Sequence, residues 1–242
     1  MQWSSEGLII GVKKHGETSV IVEALVFDKG RHLGLVRGGR SPRHSAVLQA
    51  GNSVKLDWRA RLEDHLGVYN VEILQTRAAR LIADKQSLFL SALLNDHARL
   101  LPERDPHDNM LAMIIDLLDG EYDKQKLAKK LALFEFNLLD ELGFGLDIYS
   151  CALSGETTGL SHVSPRTGRA VTLEQAQPYI EKLLPLPAFL LNNNEASIID
   201  IKNAFILTGH FLNMHIWAAR QIEVPATRDK LINNMIRFYE RS

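Results

Sequence analysis

The sequence predicts an α+β chain: a five-stranded barrel first, then an α-helical domain carrying a small irregular insert. Three observations carry this. Short runs of alternating apolar residues, separated by turn residues, fill the chain up to Arg77. After Arg77 the hydrophobic period changes from that of strands to that of helices. Glycine and proline then gather between residues 144 and 172, at Gly145, Gly155, Gly159, Pro165 and Gly168. The expected borders are residues 1–80 for the barrel and 81–242 for the helical domain, with the insert at about 144–172.

The strands follow in order. Gly7 to Val12 is an apolar run that ends in Lys13-Lys14-His15-Gly16, a turn. Val20, Val22, Ala24 and Val26 alternate with mixed residues and lead into Asp28-Lys29-Gly30, which has turn chemistry. His32 to Arg37 is the returning strand, interrupted by Gly38-Gly39-Arg40-Ser41-Pro42. Val54, Leu56 and Trp58 alternate with polar residues, and Gly67 to Leu74 is the fifth strand. Five short strands of this kind suit the OB-fold, the five-stranded barrel that binds oligonucleotides.

Leu81, Leu88, Leu93, Leu94 and Leu101 open the helical stretch, and Pro102 ends it. Asp105-Pro106 has the form of a cap with a first-turn proline, followed by helix from Met110 to Leu118. Tyr122 to Leu142 carries the strongest helical stripe, stopped by Gly143. Thr172 and Gln175 have capping-box spacing. Asn192 to Asn194 read as a loop. Helices are expected at about 198–220 and from Ala226 to about Tyr239.

The chain is nearly neutral, with a formal charge of -1, but its charge is sorted by region. Residues 1–80 hold 12 Lys and Arg against 8 Asp and Glu, and the remainder holds 16 against 21. Six cations, Lys29, Arg31, Arg37, Arg40, Arg43 and Lys55, lie in a stretch without a single acid. Basic, glycine-punctuated β-structure of this kind points to a polyanion, and these six are the candidate nucleic-acid-binding residues. Gly38 and Gly39 let a strand approach the backbone. Trp58 offers a face for base stacking, but its alternation with Val54 and Leu56 places it in the core.

Other chemistries find little support. There is no phosphate-binding P-loop and no dinucleotide fingerprint, so no cofactor and no enzymatic activity are expected. Gly159-Leu160-Ser161-His162-Val163 lacks the second glycine of a nucleophile elbow. His210 and His215 are five apart, where a zinc pair on one helix face wants four. No apolar run is long enough for a membrane helix. One cysteine, and no basic-then-apolar opening segment, lead to the expectation of a cytoplasmic protein. On the helix from Tyr122, Lys126, Lys129 and Lys130 lie beside Leu127 and Phe134. This is either a basic rim around a groove for an acidic, hydrophobic-ended peptide, or an amphipathic core helix with a solvated lysine face.

Several segments, in order and spacing, resemble the bacterial RecO family of recombination mediators. They are His15-Gly16-Glu17-Thr18 with Lys29-Gly30, Val36-Arg37-Gly38-Gly39-Arg40-Ser41, the run from Phe134 through Leu142-Gly143 to Cys151, and Val163-Ser164-Pro165-Arg166-Thr167-Gly168-Arg169. The resemblance implies an N-terminal OB-fold and a helical domain. It implies binding of single- and double-stranded DNA, annealing of complementary strands, and work in the nucleoid. It also implies partnership with RecR and with the C-terminal tail of SSB in loading RecA. Many members carry four zinc-binding cysteines in the insert. Here the first position is Cys151 and its partner position is Ser154, so no metal is expected. Two other readings compete: a scaffold that docks proteins on the helical domain, and an RNA-binding OB-fold protein.

Overall fold

The computed structural model describes residues 1–192 and 194–239, so Asn193 of the expected asparagine loop lies outside the described residues. The chain forms two compact units, Met1–Gly120 and Glu121–Ser242.

The first unit is built on a closed barrel. Its strands are β1 (Gln2–His15), β2 (Ser19–Val26), β3 (Gly30–Val36), β4 (Ser53–Arg59) and β5 (Val68–Gln75), in the order β1-β2-β3-β5-β4. All pairs are antiparallel except β3 with β5, which meet in parallel at Leu35 and Val68. β1 is longer than the sequence pattern suggests. Its first half, from Gln2 to Leu8, pairs with β4, and its second half, to His15, pairs with β2. A bulge between Ile9 and Gly11 lets one strand turn from one partner to the other. The alternating residues point inward: Val20, Val22, Ala24, Val26, Val54, Leu56 and Trp58 form the core. Trp58 is 1% exposed, stacks on Trp3 at 5.7 Å, and donates its indole N–H to the Leu66 carbonyl. It is a core residue, as its alternation indicated, and not a base-stacking platform.

Helices α1 (Pro42–Val47), α2 (Ala78–Ala83), α3 (Lys85–Ala98) and α4 (Asp108–Asp119) complete this unit. The sequence pattern did not reveal α1, and it assigned α2 to α4 to the helical domain. Polar joints tie these helices to the barrel. Arg77 is 2% exposed, and its guanidinium bonds both carboxylate oxygens of Asp119 at 2.6 Å and the Ser53 hydroxyl at 2.6 Å. The Asn52 side-chain oxygen takes the backbone N–H groups of Arg77 and Ala78. Arg99, after α3, donates to the Ile10 carbonyl at the bulge and to Glu23 on β2. The helix α4 begins after His107, not at the Asp105 cap. Ahead of it, Glu103 bridges to Arg31 and the Arg104 N–H donates to the Arg31 carbonyl, with the chain turning at Arg104 (φ +63°).

The second unit opens with α5 (Lys124–Glu141), capped by the Asp123 carboxylate on the Lys126 N–H at 2.8 Å. Gly143 ends it at φ +82°, a left-handed conformation that favours glycine. The insert is more regular than expected. Its strands β6 (Leu160–Val163) and β7 (Ala170–Thr172) join β8 (Leu184–Pro185), which lies beyond the expected insert, in a three-stranded sheet of order β7-β6-β8. The capping box expected at Thr172 does not form. Thr172 is buried on β7 with its hydroxyl toward the Cys151 sulfur, and the helix α6 (Leu173–Ala176) after it is one turn long. A capping box forms instead at Ser197 and Asp200, where α8 (Ile198–Leu212) starts after the short α7 (Phe189–Asn192). A π-type turn at Asn213–Trp217 follows, and then α9 (Ala226–Tyr239). Glu135 on α5 and Arg228 on α9 form a fully buried bidentate pair with both bonds at 2.7 Å, and the Thr208 hydroxyl of α8 donates to the same carboxylate. This cluster fixes three helices to one another.

Candidate nucleic-acid interface

The six cations of the acid-free stretch do not form one surface. Arg37, Arg40 and Arg43 lie together in the turn after β3 and on α1, and all three are exposed. The Arg40 guanidinium donates to the carbonyls of Glu17 at 2.6 Å and Gly16 at 3.3 Å, while its backbone N–H donates to the Thr18 carbonyl. Two segments far apart in sequence, Gly16–Thr18 and Arg37–Ser41, are thereby stapled into one edge. His44 closes the second segment by hydrogen bonds with the Ser41 hydroxyl and the Gly38 carbonyl, both at 3.1 Å. The two glycines differ. Gly38, at φ +65°, faces open space, whereas Gly39 is buried against Val20 and Leu48. Gly38 leaves room for a close ligand, and Gly39 is a packing residue.

Lys29 and Lys55 are at the other end of the barrel. The ladder places Val20 opposite Val36 near the arginines, and Val26 opposite Gly30 near Lys29. Six residues of strand separate these rows, about 20 Å at ~3.3 Å per residue. Lys55 is exposed on β4 but stands between Glu6 on β1 and Glu72 on β5 in register. Arg31 is neutralised: it reaches Glu23 at 2.8 Å, Glu103 at 3.3 Å and the Leu101 carbonyl, with its side chain 17% exposed. Acids brought from β2 and from beyond α3 fill a gap that the local sequence left open.

The fold adds cations that the acid-free criterion passed over. Lys13 and Lys14 are exposed at the end of β1, where Lys14 pairs with Val20 and Val20 with Val36. They join Arg37, Arg40 and Arg43, giving five cations to one acid, Glu17, over residues 12–18 and 37–47. The β4–β5 loop contributes Arg59, Arg61 and His65, which line a shallow hollow with Gly67 and Val68. Arg104 fastens this loop by donating to the carbonyls of Asp64 and His65, and the Leu35 N–H donates to the Gly67 carbonyl. Both loops therefore flank the same end of β3. Glu63 and Asp64 sit beside Arg59 and Arg61 in the sequence, which masked them.

In the second unit, Leu127 and Phe134 are core residues, 7% and 0% exposed. Their side chains point into the core and leave little apolar surface of their own beside Lys126, Lys129 and Lys130. The ammonium groups of Lys126 and Lys130 lie over the Tyr122 ring at 5.3 Å and 4.8 Å, and that of Lys129 lies over Phe189. An open, largely apolar groove runs between α8 and α9. It encloses about 550 Å³, lined by Phe205, Ile206, Trp217 and Ile232 together with the charged Lys202, Asp229 and Arg237. His210 and His215 have ordinary roles: one bonds the Pro165 carbonyl at 2.9 Å, and the other stacks on Phe144 at 4.5 Å.

The insert places its cysteine in a tight turn with no second thiol beside it. The Ser154 N–H points at the Cys151 sulfur at 3.4 Å, and the Thr172 hydroxyl stands 4.0 Å from it. Hydrogen bonding at Ser154 holds this buried thiol down to about 6. No group of three His, Cys, Asp or Glu side chains suited to a metal occurs among the described residues. One thiolate among hydroxyls does not fit zinc, which takes four nitrogen or sulfur ligands at structural sites. Packing of Cys151, Val171 and Ala176 with Leu160 and Leu183 holds the segment.

Among the described residues no helix is long and apolar enough to cross a membrane. Residues 1–77 match the family model for the recombination protein O N terminal, and residues 88–216 match that for the recombination protein O C terminal. Similar proteins include the DNA repair protein RecO of Chelativorans sp., 48% identical over 94% of this chain and 93% of that protein. Those of Bartonella tribocorum and Rhodopseudomonas palustris are each 45% identical over 100% of this chain, covering 96% and 99% of their own lengths. With both family models matched in order and this identity across the whole length, the chain belongs to the RecO family of DNA repair proteins.

Proposed function

We propose that the chain is a non-enzymatic recombination mediator that binds single- and double-stranded DNA on the edge formed by Lys13, Lys14, Arg37, Arg40 and Arg43, with Arg59 and Arg61 beside it. The observation that carries this is the convergence of exposed cations from three separate segments on one end of β3. Phosphates held there release counterions, which drives binding, and two strands held on cationic surface repel each other less while complementary bases pair. The interactions are with phosphates, so preference among sequences is weak. Family membership supports the wider role: annealing, partnership with RecR, and loading of RecA onto SSB-coated strands. The test is annealing of complementary oligonucleotides by the purified protein without nucleotide. Acceleration that is lost in the Arg37→Ala, Arg40→Ala, Arg43→Ala variant supports the reading, and a rate equal to the protein-free control refutes it.

We further propose that the SSB tail, acidic with a hydrophobic end, binds the α8–α9 groove rather than the α5 lysines. The groove has apolar lining with the cations Lys202 and Arg237 against one acid among the described residues, Asp229, whereas Leu127 and Phe134 are covered. Titration of the tail peptide against a Lys202→Glu, Arg237→Glu variant should show weakened binding. A Lys126→Glu, Lys129→Glu, Lys130→Glu variant should bind nearly as wild type, and the reverse pattern would move the site to α5.

A further inference from the structure

His44 stands on α1 among the exposed arginines of the cationic edge. The turn after β3 brings Arg37 and Arg40 to this edge, α1 brings Arg43, and the β1–β2 turn brings Lys13, Lys14, His15 and the acid Glu17. The His44 ring is already fixed. Its Nδ1 lies 3.1 Å from the Gly38 carbonyl and 3.1 Å from the Ser41 hydroxyl. A carbonyl oxygen only accepts, so Nδ1 carries the hydrogen and donates it to Gly38; in the other tautomer two lone pairs would face each other. That leaves Nε2, across the ring, as the bare nitrogen. It makes no hydrogen bond and meets no carboxylate among the described residues, and His44 is only half-buried.

We propose that His44 is a phosphate-binding residue of this edge that engages DNA in its protonated form, so that single-strand binding takes up a proton. The inference rests on the DNA reading of the edge. The neutral ring leaves a lone pair at Nε2, and a phosphate offers only acceptors. Protonation turns the same atom into a charged donor and leaves the Nδ1 bond to Gly38 in place, since both ring nitrogens donate in the charged form. A phosphate beside an imidazole favours that form. Histidine changes its charge between about pH 5 and 8, so the contact is made or lost near neutrality. Gly38 faces open space and leaves room for a phosphate near the ring. His15 and His65 differ. They are exposed, and their rings make no hydrogen bond among the described residues, so either nitrogen of the neutral ring can carry the N–H toward a phosphate.

The test measures binding of a thymidine-only oligonucleotide, whose bases keep one charge state over this range, to the full chain at about pH 6 and about pH 8 across a salt series. Wild type should bind about tenfold more tightly at the lower pH, as expected for one added charged hydrogen bond. Its salt slope should be steeper there by about 0.7, for one further phosphate. His44→Asn keeps an N–H where Nδ1 stands and lacks the far nitrogen, so it should lose most of the pH dependence and show one slope at both pH values. His44→Arg, charged throughout, should bind tightly at about pH 8 as well. A His15→Asn, His65→Asn variant should keep most of the wild-type change. Equal wild-type affinity at the two pH values, or an undiminished change in His44→Asn, would overturn the role of His44. If the Arg37→Ala, Arg40→Ala, Arg43→Ala variant is then still weakened at about pH 8, the DNA reading stands without it. If that variant binds as wild type, the DNA reading falls and this inference falls with it.

Discussion

Replacing Glu135 by leucine should destabilise the second unit by about 3–5 kcal/mol, the typical cost of breaking a buried ion pair. The structure gives the same magnitude by a second route. Arg228 makes two bonds of 2.7 Å to the Glu135 carboxylate, and hydrogen bonds to charged groups contribute about 1.5–3 kcal/mol each. Its side chain is 7% exposed, so water does not replace the missing partner. What stays near it is the Phe205 carbonyl, the Thr208 hydroxyl, and Asp229 at 3.9 Å on an exposed side chain. The rings of Phe205 and Trp217 flank the guanidinium and do not solvate it. With a urea dependence of about 2 kcal/mol per M, the midpoint should fall by about 2 M. Adding Arg228→Met to Glu135→Leu removes the orphaned charge, and the double variant should recover to within about 1 kcal/mol of wild type. Equilibrium urea unfolding followed by circular dichroism measures both. If the single variant unfolds within about 0.3 M of wild type, or the double variant is less stable than the single, the pair does not lock these helices as argued.

Three further outcomes follow from other residues. Hydrogen bonds from Arg77 hold the Asp119 carboxyl below the usual carboxylate range, so the unfolded chain takes up this proton first. The stability it contributes is present above about pH 4 and is lost as pH falls through the native value, and Asp119→Asn should flatten the acid limb of a melting-temperature series against pH. Arg31→Met should lower thermal stability through its ion-pair cluster yet leave the salt dependence of DNA binding at the wild-type slope; a flattened slope would return Arg31 to the DNA surface. Protein purified without chelator should hold no stoichiometric zinc by elemental analysis, because Cys151 stands among hydroxyls; one tightly held zinc per chain would contradict this.

The barrel was legible because its strands alternate cleanly, and because Trp58 shares its face with Val54 and Leu56. The extension of β1 back to Gln2 was hidden, since Trp3 and Ser5 are only half-buried and blur the apolar pattern. The helix α1 was hidden by its brevity and by a proline in a basic turn. The unit border at Gly120 depends on Arg77 meeting Asp119, an ion pair between residues 42 apart that no local pattern encodes. For the interface, an acid-free stretch led to Arg37, Arg40 and Arg43, but sequence distance is a poor guide to neutralisation. Arg31 finds Glu103 across the fold, whereas Arg59 and Arg61 line a surface hollow despite Glu63 and Asp64 near them in the chain, and Lys13 and Lys14 join the arginines only through the β1–β2 and β2–β3 ladders. On α5 the helical stripe was correct, and it is the stripe itself that buries Leu127 and Phe134.

The central claim is that DNA lies on the edge where Arg37, Arg40 and Arg43 meet Lys13 and Lys14. The most direct measurement is the salt dependence of single-strand binding for a folded Arg37→Ala, Arg40→Ala, Arg43→Ala variant, beside a Lys29→Ala, Lys55→Ala variant from the other end of the barrel. Each phosphate released from a cationic side chain on a single strand should flatten the slope by about 0.7. Arg40 also staples the Gly16–Thr18 turn, so thermal melting must first show that the triple variant keeps its fold. The predicted result is a slope flatter by up to about 2 units in the triple variant, with the lysine pair close to wild type. A wild-type slope in the triple variant, or equal flattening in the lysine pair, would contradict the account.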